Sequence, residues 1–270
     1  MSLGLLKGKV GIITGALDES SIAWKTAVKA HEEGAKLILT NAPVAIRMGK
    51  IKELAEKLGA TLVPADATSL EDITKLYEVA KSEFGQIDFL LHSIGMSLNV
   101  RKNRPYTDLN YDFLNKTYDI SAISFHKMMQ VGLKMDIFKE WGSIVALSYI
   151  AAQRTFGKYN DMAESKALLE SFARSFGYHL GKLKKVRVNT ISQSPTPTTA
   201  GSGVEGFDKM LLYAEKMSPL GNATADDCAD FILLLFSDYS KKITMQNIYH
   251  DGGFSSVGVS EEVLENFIRD

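Results

Sequence analysis

Cysteine is almost absent: Cys228 is the single one among 270 residues, which excludes an intrachain disulfide and a cysteine-clustered metal site. Excess charge is absent as well. Lysine plus arginine (31) nearly cancel aspartate plus glutamate (32), so no global field draws the chain to nucleic acid or to an anionic membrane. Neither a basic patch nor an aromatic stacking motif argues for a nucleic-acid partner. No stretch approaches the roughly 18 uncharged apolar residues that a membrane-spanning helix needs. The opening MSLGLLKGKVGIITG lacks the charged head, apolar run and cleavage site of a signal peptide. These absences predict an unprocessed protein of the reducing cytoplasm, with no metal, no membrane and a small-molecule partner.

Repeats, low-complexity tracts and linker-like shifts in composition are missing too. With 45% apolar residues, the chain is expected to form one domain over 1–270. Short apolar or β-branched runs recur as strand candidates: Val10 to Thr14, Lys36 to Thr40, Thr61 to Pro64, Phe89 to Ser93, Ser143 to Ser148, Arg187 to Ser192 and Asn247 to His250. Their continuous hydrophobicity suits strands buried on both faces. Helical patterns lie between them, at Ile22 to Glu33, Ile46 to Leu58, Leu70 to Phe84, Tyr111 to Met135, Tyr159 to Leu183 and Ala225 to Ser237. Strict alternation predicts an α/β fold: a single-domain, Rossmann-like doubly wound parallel sheet of about seven strands with helices on both faces. Ser194 to Gly206, SPTPTTAGSGVEG, is the irregular stretch, and long loops of this kind are often lids or binding loops.

The first strand runs into Thr14-Gly15-Ala16-Leu17-Asp18-Glu19-Ser20-Ser21-Ile22. Gly15 permits a tight turn, Ser20 and Ser21 can cap the helix that begins near Ile22, and its N-terminus presents N–H groups to a pyrophosphate. Alone this is weak, because Gly15 is all that remains of G-x-G-x-x-G. Further candidates fall at strand ends on the same sheet edge, where open α/β sheets bind ligands. Asp66-Ala67 offers a carboxylate to an adenine amino group, Ser93-Ile94-Gly95 lets backbone approach a ribose, and Pro195, Thr196 and Thr198 follow the sixth strand. Singly, Asp66 reads equally as a helix cap and Gly95 as a plain turn; jointly they predict a dinucleotide site. The second strand ends Leu39-Thr40-Asn41-Ala42-Pro43, with neither an acid for a ribose 2′-hydroxyl nor an adjacent arginine, Arg47 being the nearest cation. NADH is the expected cofactor and NADPH the alternative.

Tyr149 to Lys166 reads YIAAQRTFGKYNDMAESK. A phenol beside an ammonium is a means of stabilising an oxyanion during hydride transfer. Tyr159 lies seven positions before Lys166, which on a helix is about 700° of rotation and about 10.5 Å of rise, so both side chains are expected to face one cleft. The ordinary reading makes the tyrosines core-edge aromatics and Lys166 a solvated helix residue.

Tyr-x9-Tyr-x6-Lys after Leu147-Ser148 resembles the enoyl-acyl-carrier-protein reductases of type II fatty-acid synthesis, a divergent branch of the short-chain dehydrogenase/reductase superfamily. That superfamily's usual Tyr-x3-Lys pair would put the tyrosine at Met162. The resemblance spans nearly the whole chain: the Gly15 to Ala23 turn, Asp66, His92 to Gly95, Leu147 to Tyr149, Tyr159/Met162/Lys166, Arg187 to Asn189 and His250 to Phe254. It implies reduction of a trans-2-enoyl thioester carried on acyl carrier protein or coenzyme A, in a homotetramer that pairs long helices such as Tyr159 to Leu183. Tyr159 would donate to the enolate oxygen, worth roughly 3 to 4 kcal/mol. Lys166 would hold the nicotinamide ribose and lower the phenol's pKa. Tyr149 would line the substrate pocket and assist proton delivery, and Ser97, Tyr149, Tyr159 and Met162 would meet substrate.

Thr196 to Leu220 is the expected lid, closed by the apolar face of Phe207 to Ala214. Ser192-Gln193-Ser194-Pro195-Thr196-Pro197-Thr198 departs from the family's Ser-Ala-Gly-Pro-Ile-Arg-Thr, Lys25 replaces a small residue, and Met245 replaces a frequent glycine. Glu205 and Asp208 stand where well-known members are basic, leaving Lys209, so docking of the acidic carrier protein is expected to use other lysines or to be weak. Two other readings compete: a ketone or dienoyl-thioester reductase of the same superfamily, and a non-catalytic dinucleotide-sensing module.

Overall fold

The computed structural model describes residues 2–199, 201 and 205–267. Its strands are β1 (Val10–Thr14), β2 (Lys36–Asn41), β3 (Thr61–Pro64), β4 (Ile87–His92), β5 (Phe138–Ser148), β6 (Arg187–Gln193) and β7 (Asn247–His250). The helices that matter to the site are α1 (Ile22–Glu32), α2 (Pro43–Met48), α3 (Ile51–Leu58), α4 (Leu70–Phe84), α5 (Leu98–Arg101), α6 (Tyr111–Tyr118), α7 (Ser124–Lys134), α8 (Asp161–Lys184), α9 (Phe207–Met217) and α10 (Ala225–Phe236). All seven strands lie parallel in the order β3-β2-β1-β4-β5-β6-β7, as the alternation predicts. The chain leaves β1 toward one edge and returns to build the other half from β4. That reversal opens a crevice at the carboxyl ends of β1 and β4.

Successive strand residues serve opposite helix layers, which explains the continuous apolar runs. Ile13, Leu39, Leu91, Val145 and Ile191 pack with α1, α3 and α10 through Trp24, Ala27, Leu54, Cys228 and Phe236. Ile12, Ile38, Leu90, Ile144 and Val188 pack with α4, α7 and α8 through Leu76, Tyr77, Phe125, Met128 and Leu169. Among the described residues, no helix is long and apolar enough to cross a membrane.

Several boundaries differ from expectation, each for a local reason. The helix predicted over Ile46 to Leu58 is two helices, because the Lys50 N–H turns out of register to the Leu17 carbonyl at 2.8 Å. The single helix expected over Tyr111 to Met135 contains a π-helical turn at Asp119–Ile123, a widening frequent at functional sites. Strand β5 begins five residues early, through the polar Lys139-Glu140-Trp141 with Trp141 at φ 63. Met245 adopts φ 63, the left-handed backbone that explains a glycine preference at that position. Lys25 ion-pairs with Asp226 at 3.2 Å.

Candidate active site

The crevice is a cavity of about 910 Å³. Its walls contain the cofactor, catalytic and substrate candidates read from sequence, Gly15, Ser21, Ile22, Asp66, Ala67, Ser93, Ile94, Gly95, Ser97, Tyr149, Tyr159, Met162, Lys166, Pro195, Thr196 and Thr198, but not Ser20.

At the switch point Thr14 clamps β1 to β4, its hydroxyl donating to the Leu91 carbonyl (3.0 Å) and accepting from the Ser93 N–H (3.1 Å). Gly15 then turns at φ 85, and a Cβ there would sit 1.9 Å from the Ser93 carbonyl oxygen. The serines do not cap α1 as expected. Ser21 occupies the N-cap position but donates to the Asp18 carbonyl (2.7 Å), while Ser20 donates to the Asp18 carboxylate (2.6 Å). The first turn of α1 therefore has neither a side-chain cap nor an acidic residue. Asp66 is not the cap of α4 either. Ser69 fills that position, and Asp66 Oδ1 accepts from the Thr68 N–H and hydroxyl, both at 2.8 Å. At the end of β2, the Asn41 amide donates to Ala16 O (3.0 Å) and accepts from the Ala42 N–H (2.9 Å), so it braces the turn after β1.

The other end is built by β4, β5 and α8. Ser121, in the π turn, holds Met96 by both its N–H (3.0 Å) and its carbonyl (3.2 Å). Tyr159 is not on α8, contrary to the helical-face reading. The helix starts at Asp161, because Asn160 adopts φ 43 and ψ −135 and its amide donates to Arg104 O at 2.7 Å. The turn over 157–160 nevertheless delivers Tyr159 to the same cavity as Lys166. Asp161 locks this turn from inside. Fully buried, its carboxylate accepts from Ser97 Oγ (2.6 Å), Asn99 Nδ2 (2.8 Å) and Thr117 Oγ1 (2.9 Å). Ser97 also caps α5, accepting from the Val100 N–H at 3.0 Å, so its hydroxyl is committed to the frame and its contribution to the cavity is as wall.

Tyr149 and Tyr159 pack with tilted rings, their centroids 5.0 Å apart, and Tyr149 points its hydroxyl at Met210 Sδ of α9 (3.5 Å). Burial pushes both phenols above their usual pKa, Tyr159 included, so the expected lowering by Lys166 is not what this arrangement produces. Lys166 is 7% exposed and donates to the Leu147 carbonyl at 2.8 Å. Burial pulls its pKa down to about 8, opposed by the charge of Glu170.

After β6, Thr196 donates to Ser194 O (3.0 Å), and Ser194 Oγ accepts from the Ala223 N–H (3.1 Å). Here SQSPTPT folds back on itself without the family's glycine. Thr199 donates to Asp18 Oδ2 at 2.5 Å, bridging this segment to the turn between β1 and α1. Phe207 and Met210 of α9 line the cavity; Ala200 and Ser202 to Val204 of the expected lid lie outside the described residues. Sequence reading missed Asp18, Lys50, Arg101 and Gln193 in the wall, and Asp161 behind it. Asp18 had one signal, its place in the first strand-to-helix turn; Lys50 and Arg101 had none, since Lys50 reaches the turn only through the fold and α5 carries no periodic pattern.

Comparison with known proteins agrees with this geometry. The family model described as "Enoyl-(Acyl carrier protein) reductase" matches residues 15–255. The enoyl-[acyl-carrier-protein] reductase [NADH] FabI of Rickettsia bellii is 34% identical over 97% of this chain and 100% of its own length. Among solved structures, an Alistipes finegoldii FabI–NADH complex is 64% identical with a TM-score of 0.95, covering 96% of this chain and 92% of that one. The Bacillus cereus reductase with NADP+ and indole naphthyridinone is 32% identical with a TM-score of 0.89, covering 96% of this chain and 100% of that one. The chain belongs to the enoyl-acyl-carrier-protein reductase family.

Proposed function

We propose that this chain is an NADH-dependent enoyl-acyl-carrier-protein reductase, reducing the trans-2 double bond of enoyl thioesters in the last step of the fatty-acid elongation cycle. What carries the reading is one arrangement: Tyr149, Tyr159, Met162 and Lys166 share a cavity with Gly15, Ile22, Asp66 and Ser93 to Gly95. The residues present fit a dinucleotide. The first turn of α1, without acid or side-chain cap, leaves N–H groups and the helix dipole for a pyrophosphate beside Ser21 and Ile22. Asp66 and Ala67 face the adenine end, and Pro195, Thr196 and Thr198 the carboxamide end. A Cβ on Gly95 would lie 3.4 Å from Met162 Cε and 3.6 Å from Lys166 Nζ, filling room the ribose needs.

When bound, NADH supplies the hydride that adds to the substrate's β-carbon. Negative charge then grows on the thioester oxygen, where the Tyr159 hydroxyl donates. Its raised pKa keeps it protonated, hence a donor, at neutral pH. Lys166 uses one of its three N–H donors on Leu147 and keeps two for the ribose hydroxyls. Tyr149 and Met210 shape the acyl pocket beside α9, and Tyr149 assists proton delivery.

The substrate rides on acyl carrier protein. Glu205 pairs with Lys158 (2.9 Å) and Asp208 stands beside Lys209, so the acidic carrier docks weakly here or through other lysines. The enzyme works as a cytoplasmic homotetramer, its apolar contacts including Tyr178 and Leu183, which α8 leaves exposed.

Purified protein assayed with crotonyl and acetoacetyl thioesters and with NADH and NADPH tests the reading. Oxidation of NADH by the crotonyl thioester is expected, with Tyr159→Phe losing about 10²–10³ in kcat. Turnover of the acetoacetyl thioester alone would favour a ketone reductase, and nucleotide binding without turnover a sensing module.

A further inference from the structure

Glu170 is a buried carboxylate, 4% exposed, to which the reaction as derived gives no task. It stands four residues after Lys166 on α8, one helical turn along the same face. The two side chains are held by consecutive residues of β5: Lys166 Nζ donates to the Leu147 carbonyl (2.8 Å), and Ser148 Oγ donates to Glu170 Oε1 (2.7 Å). Glu170 Oε2 accepts from Gln153 Nε2 (3.3 Å), whose Oε1 accepts from the Tyr249 hydroxyl. The carboxylate is thus anchored beside the ammonium rather than by it, leaving two ammonium N–H groups for a ligand.

We propose that Glu170 is a positioning residue that keeps Lys166 charged in the nucleotide site. This rests on the reading of Lys166 as a cofactor-holding group. The other groups facing Lys166 cannot do this. His92 on β4 is neutral, burial holding its pKa at about 3. Tyr159 and Tyr149 are neutral phenols raised by burial. Asp161, five residues earlier on α8, lies about 140° around the helix from Lys166 and so faces Ser97, Asn99 and Thr117 instead. Glu170 is the charge that opposes the downward pull of burial on Lys166, whose pKa of about 8 leaves its protonation sensitive to any loss of that support.

NADH affinity read by nicotinamide fluorescence from pH 6 to 9, without substrate, tests the proposal. The parent should weaken above about pH 8 as Lys166 loses its proton. Glu170→Gln keeps an oxygen for Ser148 and removes the charge. An opposite charge nearby is worth about one pKa unit or more, so this variant should bind NADH about fivefold more weakly than the parent at pH 8 and equally at pH 6. Glu170→Asp, which retains the charge, should follow the parent's curve. Superimposable parent and Glu170→Gln curves would overturn the role of Glu170, as would equal weakening at every pH in both variants, which marks a packing role. Lys166→Gln checks the underlying reading separately. If it binds NADH as the parent does at pH 6, Lys166 does not hold the cofactor.

Discussion

Replacing Asp161 tests whether the Tyr159 turn is held from behind by a single buried charge. The carboxylate sits at the first residue of a 24-residue helix, where the dipole favours an anion, and takes donors from Ser97, Asn99 and Thr117. In Asp161→Asn one oxygen becomes an NH2. The Thr117 hydroxyl can retreat to the Phe113 carbonyl, which it already reaches at 2.9 Å, but Asn99 Nδ2 then faces another donor. One or two charge-assisted bonds disappear, at about 1.5–3 kcal/mol each, so unfolding stability should fall by about 2–4 kcal/mol. Asp161→Ala removes all three of these bonds and should lose about 3–6 kcal/mol. Urea unfolding of the apo protein at pH 7 and one fixed protein concentration measures this. Because Asp161 follows Tyr159 by two residues, kcat at saturating NADH should fall in Asp161→Asn even where the protein stays folded. An Asp161→Asn protein within about 0.5 kcal/mol of the parent and equally fast would refute the anchoring role.

Gly15→Ala should be among the most damaging single methyl additions, about 2–5 kcal/mol, since it combines φ 85 with a Cβ 1.9 Å from the Ser93 oxygen; thermal unfolding reads it. His92 links stability to pH. Its folded pKa of about 3 lies below the unfolded 6.5, so the unfolded state takes a proton the folded state refuses. This contribution is complete above about pH 7.5 and declines as pH falls through 6.5, by about 2 kcal/mol at pH 5. His92→Gln should flatten the stability profile between pH 7.5 and 5, and an unchanged slope would mean that the imidazole does not titrate this way. Thr199→Val removes the 2.5 Å bond to Asp18, so hydrogen exchange in α9 should quicken while the central strands keep their protection.

The parts of the fold legible in sequence are those set by neighbours in the chain. Val10 to Thr14 matches its strand end for end, because a strand covered on both faces needs apolar side chains at nearly every position, whereas Asn247 to His250 matches as a half-buried edge strand. The site is legible where topology alone brings residues together: Gly15, Asp66, Gly95 and Thr196 all follow carboxyl ends of parallel strands and so meet on one edge. Tyr159 and Lys166 were paired by a helical period that does not operate, since Asn160 breaks the helix between them. The pairing survives because Tyr159 still enters the cavity, a position Asp161 secures from behind. Its partners lie 64, 62 and 44 residues away in the chain, and no periodicity or spacing reports a contact at that distance. Asp161 therefore reads, in sequence, as one more polar residue in the first turn of a helix, where acids are common for reasons of dipole alone. What separates an ordinary acid from an anchoring one is burial, and burial follows from how α5 and α6 fold across the start of α8.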